Sequence, residues 1–235
     1  MIDLEIEMKK IAVIPARSGS KGLKNKNIKE LNGKPMMAYT IEAALQSKMF
    51  DCVHVSTDSQ LYADIAGAYG ADVPFLRDKT LADAQASTWD ALRYVIQKYK
   101  EAGQEFSIVT LLQPTSPLRD ADDICRAFQV FQEKNADAVV SVCQMEHSLQ
   151  ICNTLGENNS MYQFIDSNKI GARQALSVFY RINGAIYIQK TNLLMEKENL
   201  YNENSYAYIM SKEHSVDIDD ELDFKMAEFL MKENI

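Results

Sequence analysis

Ile11 to Ile14 form an unbroken apolar run that meets Pro15 and empties into Ala16-Arg17-Ser18-Gly19-Ser20-Lys21-Gly22. A strand that is apolar at every position is buried on both faces, the habit of a parallel sheet held between helices. Similar runs return at CVHVS (52–56), FSIVTLL (106–112), AVVSV (138–142) and GAIYI (184–188). Helical stripes lie between the earlier ones. Met37, Ile41, Ala44, Leu45 and Lys48 follow Pro35. Leu61, Ile65 and Ala68 follow a capping Ser59 and stop at Gly70. Leu92, Val95, Ile96 and Tyr99 follow a capping Ser87. Ile124, Ala127, Phe128 and Phe131 follow a cap at Asp120 or Asp122. This alternation predicts an α/β fold: a mostly parallel sheet with helices on both faces.

Residues 144–182 break the alternation. They are polar, with Met161, Tyr162, Phe164 and Phe179-Tyr180 at no clean period, and they read as an inserted lobe or extended hairpin. Tyr206 to Met210 and Ser215 to Ile218 read as the last strands. A closing helix places Leu222, Met226, Phe229 and Leu230 on one face. A chain of 235 residues with no repeat, low-complexity tract or Gly/Ser linker reads as one domain over 1–235, with 144–182 as its small lobe.

Charge narrows the ligand. The net charge of −8 disfavours nucleic acid and anionic membrane as partners. Residues 9–34 nevertheless carry eight cations (Lys9, Lys10, Arg17, Lys21, Lys24, Lys26, Lys29 and Lys34) against one acid, Glu30. A basic segment around glycines in an acidic chain suits a small anion. No secretory signal or membrane-length apolar run is visible, and Cys52, Cys125, Cys143 and Cys152 show no CxxC spacing. Reduced, mostly buried thiols and a cytoplasmic location are expected. His54 is expected to be a half-buried strand residue, and the three histidines form no ligand pair.

Four stretches carry chemistry. The opening loop matches neither GxxxxGK[ST] nor GxGxxG, which removes the common P-loop and dinucleotide patterns. Gly19 and Gly22 still let backbone N–H groups approach a phosphate, and Arg17 and Lys21 supply cations. The same composition also suits a solvated basic loop. In Ser215-Val216-Asp217-Ile218-Asp219-Asp220, strand alternation would send Val216 and Ile218 inward and Asp217 and Asp219 outward together. Two residues along a strand span about 6.6 Å, room for two carboxylates to share Mg²⁺. A surface acid cluster at a helix start is the alternative, and Asp220 and Asp223 fit capping. LLQPTSPLR (111–119) is a proline-stiffened loop that holds Gln113, Thr115, Ser116 and Arg119. Arg173 and Arg181 offer bidentate recognition of a carboxylate, or salt-bridged loops.

Taken in order, IAVIPARSGSKG, KNI, VHVSTD, LLQPTSPLR, SVCQMEH, RQALSVFYRINGAIYI and SVDIDDELD resemble the acylneuraminate cytidylyltransferases over nearly the whole chain. That family activates sialic-type nine-carbon acids with CMP. The resemblance implies a Rossmann-like domain with a dimerisation lobe, hence a homodimer. It implies CTP held by Ala16, Arg17, Ser20, Lys21, Lys26 and Asn27. Arg77 and Ala86-Ser87-Thr88 would help place the nucleotide. Gln113, Arg173, Asn183 and Tyr187 would hold the acidic sugar, with Tyr201 near its acyl substituents and Arg173 reaching from the partner subunit. Mg²⁺ would sit on Asp217 and Asp219. Arg17, Lys21 and Asp219 would carry the catalytic load. Three departures from the family pattern concern the sugar more than the reaction. The basic residue that some members carry a few positions past MEH has no counterpart in His147-Ser148-Leu149-Gln150-Ile151, Asp83-Ala84-Gln85-Ala86-Ser87 replaces Asp-Thr-x-Ser, and Ile182 replaces proline before Asn183-Gly184.

Overall fold

A computed structural model describes residues 8–19, 22–81, 87–165 and 177–233. Ser20, Lys21, Ala86 and Arg173 lie outside the described residues.

Six strands form the main sheet: β1 (Lys10–Pro15), β4 (Cys52–Ser56), β5 (Ile108–Leu111), β6 (Ala138–Gln144), β7 (Tyr180–Lys190) and β8 (Ser205–Met210). A separate two-stranded ribbon, β2 (Glu30–Leu31) and β3 (Lys34–Pro35), turns at Asn32-Gly33. Both turn residues have positive φ, 46° and 84°, as a type I′ hairpin requires. The order in the main sheet is β4-β1-β5-β7-β6-β8. β1 is parallel to β4 and β5, β6 is parallel to β8, and β7 runs antiparallel between β5 and β6.

Alternation along β1 sorts the two cores. Ala12 and Ile14 face α1 (Met36–Ser47), α2 (Gln60–Ala68) and α4 (Ala121–Glu133), packing with Met37, Ile41, Tyr62, Ile124 and Phe128. Ile11 and Val13 face α3 (Thr88–Glu101) and α5 (Thr191–Glu196), packing with Leu92, Val95, Tyr99 and Leu194. The sheet is therefore Rossmann-like, covered on both faces, as the apolar runs require. The caps follow the chemistry of their residues. Ser59 accepts from the Tyr62 N–H, Ser87 from the Trp89 N–H, and Asp120 forms a reciprocal capping box with Asp123.

Four expectations are corrected. In α2 the buried side chains are Tyr62, Ala63 and Ala66, while Leu61 is exposed, because the larger tyrosine claims the core face. In α6 (Glu221–Glu233), Leu222, Met226 and Phe229 are exposed and Phe224 and Ala227 are buried against Leu31, Met36 and Ile218. Asp220 and Asp223 cap this helix through the Asp219, Asp220, Leu222 and Asp223 N–H groups, which sets its phase. Ser215 to Ile218 are not a strand: Glu213–Ser215 is a 3-10 turn, and the extended residues after it bond the β5–α4 loop instead of a sheet edge. His54 is fully buried rather than half-buried, and Nε2 has no partner among the described residues. As for the thiols, Cys52 and Cys143 are buried, Cys125 is partly so and Cys152 is exposed, all four free.

Candidate active site at the carboxyl edge of the sheet

Five of the six strands point one way, so the segments after β1, β4, β5, β6 and β8 gather at one edge, and β7 starts there. Ligands of open α/β sheets bind at this edge.

Past Pro15 the chain is tied to β4 by the Ala16 N–H, which donates to the Ser56 carbonyl at 2.9 Å. Arg17 follows, and its carbonyl accepts from Asn27 Nδ2 at 3.1 Å. Ser18 donates its N–H and its hydroxyl to the two carboxylate oxygens of Asp58, at 2.9 and 2.8 Å. Burial pushes the Asp58 carboxyl up, but the two Ser18 donations, together with its own backbone N–H and the charge of Arg77, hold the group below its usual range. Arg77 is buried, donating to the Ser56 hydroxyl and carbonyl. Burial lowers its pKa to about 10, with attraction from Asp58 opposing and repulsion from Arg17 adding. Two guanidinium groups thus feel each other's charge near one carboxylate, an arrangement suited to an anion with more than one charge.

The far end of the chain closes on this loop. Lys26 Nζ donates to the Ile218 carbonyl at 2.6 Å and lies 3.2 Å from the Asp219 carboxylate. Lys29 pairs with Glu221 at 2.7 Å and sits 4.2 Å over the Phe224 ring. Ile218 is fully buried and its N–H donates to the Thr115 carbonyl at 2.8 Å. Asp217 and Asp219 therefore flank an inward Ile218, as alternation demands, although no ladder enforces it. Burial raises the Asp217 pKa above the usual carboxylate range; a hydrogen bond from the Thr115 side chain opposes this and the Asp219 charge adds to it. Asp217 Oδ1 is buried without a hydrogen-bond partner among the described residues. Asp219 is open to solvent, its side chain 80% exposed.

A bulge in β7 completes the floor. Register passes from Val140↔Tyr187 to Val142↔Ile182, leaving extra β7 residues around Gly184, whose φ is +80°. Ser141 fills the bulge, its hydroxyl donating to Asn183 Oδ1 at 2.6 Å and accepting from the Ile186 N–H at 2.8 Å. A β-carbon on Gly184 would lie 2.6 Å from Gln113 Oε1 and 3.5 Å from Asp217 Oδ2. The glycine thus lets Gln113 and Asp217 meet over the strand. Tyr187 pairs edge-on with Trp89, with ring centres 5.7 Å apart. Its phenol is pushed up to about 12 by burial and by nearby Tyr201 and Asp217. Beside it, a groove of about 330 Å³ is lined by Trp89, Arg93, Leu194, Lys197, Leu200 and Tyr201.

The structure thus brings Ala16, Arg17, Lys26, Asn27, Arg77, Gln113, Tyr187, Asp217 and Asp219 to one edge. Tyr201 stands at its border, and so does Ser87, whose hydroxyl caps α3 ahead of Thr88, its first residue. Asn183 is buried at 1% exposure, and its amide is committed to Ser141, Ser215 and Met210. It holds the bulge rather than facing the opening. Sequence reasoning does not single out Asp58, Ser141 or Trp89. The one available signal for Asp58 is its place at the end of VHVSTD, two residues past the buried strand.

This edge, with cations on one side and the Asp217 and Asp219 carboxylates on the other, has the charge pattern of an anion-binding α/β protein. The Cytidylyltransferase family model matches residues 11–234, and the chain belongs to that family. It is 42% identical over 218 residues to the N-acylneuraminate cytidylyltransferase of Escherichia coli O18:K1:H7, covering 92% of this chain and 51% of that protein. The chain spans about half the length of the first curated relatives it matches. It also resembles the CMP-N,N'-diacetyllegionaminic acid synthase of Legionella pneumophila, at 36% identity over 97% of this chain and 98% of that one. The pseudaminic acid cytidylyltransferase of Campylobacter jejuni is 32% identical over 97% and 98%. A solved CMP:2-keto-3-deoxy-manno-octonic acid synthetase in complex with CTP shares the fold, with a TM-score of 0.72 at 19% identity, covering 97% of this chain and all of that one.

Proposed function

We propose that this chain transfers CMP from CTP to the anomeric hydroxyl of a nonulosonic acid and releases pyrophosphate. The observation that carries the reading is the closure of the Arg17 loop onto the Asp217–Asp219 segment, which sets cations and carboxylates around one opening. The relatives named for neuraminic, pseudaminic and legionaminic acids support the substrate class. In the reaction the sugar oxygen bonds the α-phosphorus, the bond to the β-phosphate oxygen breaks, and pyrophosphate leaves with that electron pair. The hydroxyl proton passes to solvent or to a carboxylate.

Arg17 and Arg77 offset charge on the phosphates, with Lys21 of the same loop as a further cation, and Ala16, Ser20, Lys26 and Asn27 shape the loop. Ala86, Ser87 and Thr88 border the nucleotide. Gln113 and Tyr187, beside Asp217, hold the acidic sugar, with Asn183 supporting the strand beneath. Tyr201 borders its acyl groups, and Arg173 binds its carboxylate. Positioning and charge account for most of the catalysis. Two oxygen donors, one of them a buried oxygen without a partner among the described residues, suit a hard cation, so Asp217 and Asp219 would hold Mg²⁺. Bound there, Mg²⁺ would neutralise charge on the phosphate oxygens.

The chain would act as a homodimer in a reducing, cytoplasmic setting. The 144–182 segment exposes Leu149, Ile151, Leu155, Met161 and Tyr162, side chains that a second copy would cover. Cys52 and Cys143 are free and buried, as a reducing compartment allows. No helix among the described residues is long and apolar enough to cross a membrane.

The deciding assay is pyrophosphate release from CTP, UTP, GTP or ATP with a panel of nonulosonic acids and Kdo. Release with CTP and one or more nine-carbon acids is expected. Release with none of the acids, or preference for another nucleotide, would sink the reading.

A further inference from the structure

An acid beside a loop built for phosphates works against the loop's charge, so the place of Asp58 calls for a physical reason. Both of its carboxylate oxygens are taken by Ser18, one by the N–H at 2.9 Å and one by the hydroxyl at 2.8 Å. The Ser18 N–H belongs to the same peptide unit as the Arg17 carbonyl, and that carbonyl accepts from buried Asn27 at 3.1 Å. A peptide unit is planar, so gripping its two polar ends on opposite edges fixes the plane. The plane fixes the position of the Arg17 α-carbon, and with the Ala16 N–H tied to the Ser56 carbonyl at 2.9 Å it narrows the directions open to the Arg17 side chain. Asp58 is itself well anchored. It follows the fully buried β4 and Thr57, and the next residue, Ser59, caps α2. Its charge also attracts Arg77, where the charge of Arg17 repels it. Without that carboxylate the two guanidinium groups would push apart.

We propose that Asp58 is a positioning residue for nucleotide binding: with Asn27 it clamps the Arg17–Ser18 peptide and aims Arg17 at the phosphates. Asp58 touches no reacting atom. Its effect is to preorganise the loop before the nucleotide arrives, which removes an ordering cost from binding. The role toward CTP rests on the cytidylyltransferase reading above, whereas the clamp itself does not.

The test compares wild type with Asp58→Ala, Asp58→Asn and Ser18→Ala. In Asp58→Ala the KM for CTP should rise roughly tenfold or more, the loss of charge-assisted hydrogen bonds, while the KM for the acid stays within about twofold. Asp58→Asn keeps one acceptor oxygen and should recover part of the loss. Exchange of the Ser18 amide hydrogen, followed by NMR without any substrate, should quicken roughly tenfold or more in Asp58→Ala. A wild-type KM for CTP in a folded Asp58→Ala, or unchanged Ser18 exchange, overturns the proposal. Should Asp58→Ala fail to fold, Asp58→Asn and Ser18→Ala must show the same selective rise in the KM for CTP, and a uniform loss in both KM values counts against it. If wild type turns over no acid at all, the function reading fails and the Ser18 exchange rate alone decides the clamp.

Discussion

Gly22 packs against the backbone of Asp219 so tightly that a β-carbon on it would stand 2.8 Å from the Asp219 carbonyl oxygen. Residues almost 200 positions apart in sequence thus meet backbone to backbone, and the Lys26–Ile218 hydrogen bond locks the same junction. The loop with the cations and the segment with the carboxylates therefore share one position.

Gly22→Ala should separate them. Backbone cannot swing aside as a side-chain tip can, so the loop or the aspartate segment must shift by several tenths of an ångström. Small misplacements at a positioning site are expensive, and we expect kcat/KM for CTP to fall roughly a hundredfold with the fold retained. Steady-state kinetics beside a thermal melt check this; near-wild-type turnover would mean the junction is dispensable.

Gly184→Ala should be worse than Gln113→Ala for stability and comparable for activity. The alanine must adopt φ near +80° and meets Gln113 Oε1 at 2.6 Å. The left-handed backbone alone costs about 1–2 kcal/mol. Chemical denaturation of both variants reads the difference, and equal midpoints would show that the bulge tolerates a side chain.

Asp217→Asn should abolish metal dependence together with turnover, and stabilise the metal-free protein. The substitution removes a buried, like-charged carboxylate beside Asp219 while keeping a side chain of similar shape. We expect kcat to fall on the order of a hundredfold or more. EDTA treatment of wild type should mimic the loss, and added Mg²⁺ should restore wild type alone. A Mg²⁺ response in Asp217→Asn equal to wild type would remove Asp217 from the metal site.

His54 should make stability fall in acid. Burial, with Arg77 contributing, lowers its folded-state pKa to about 3 from the ordinary 6.5. Between these values the unfolded chain binds a proton that the folded one refuses, so stability rises with pH over about pH 3–6.5 and flattens above. The limiting slope is about 1.4 kcal/mol per pH unit. Denaturation at pH 5 and pH 7 should show a smaller difference in His54→Phe than in wild type, and an unchanged difference would assign the acid sensitivity elsewhere.

Much of the architecture is written locally. The runs at Ile11–Ile14 and CVHVS are apolar throughout because both sheet faces are covered, and α3 and α4 bury the stripes their spacing announces. The phase of α6 is not local. Leu222, Met226 and Phe229 make the longer apolar series, yet Phe224 and Ala227 are buried, because the Asp220–Asp223 cap and the β2–β3 ribbon decide which side meets protein. Around the opening, Arg17, Gln113, Asp217 and Asp219 are legible from charge and loop stiffness. Asp58 shows in sequence only as the last residue of VHVSTD, because its role lies in what it bonds across 40 residues.

The sequence by itself determined the alternating elements, the basic loop after β1 and the acids before α6, since periodicity and charge act over a few neighbours. Only the tertiary structure decided that Asp217 is buried while Asp219 stays open to solvent, with no sheet edge beneath them. It alone committed Asn183 to a bulge, and it alone clamped the Arg17–Ser18 peptide between Asn27 and Asp58. The physical reason is the same in each case: hydrogen-bond partners and close backbone contacts between distant segments exist only after the sheet has brought those segments to one edge.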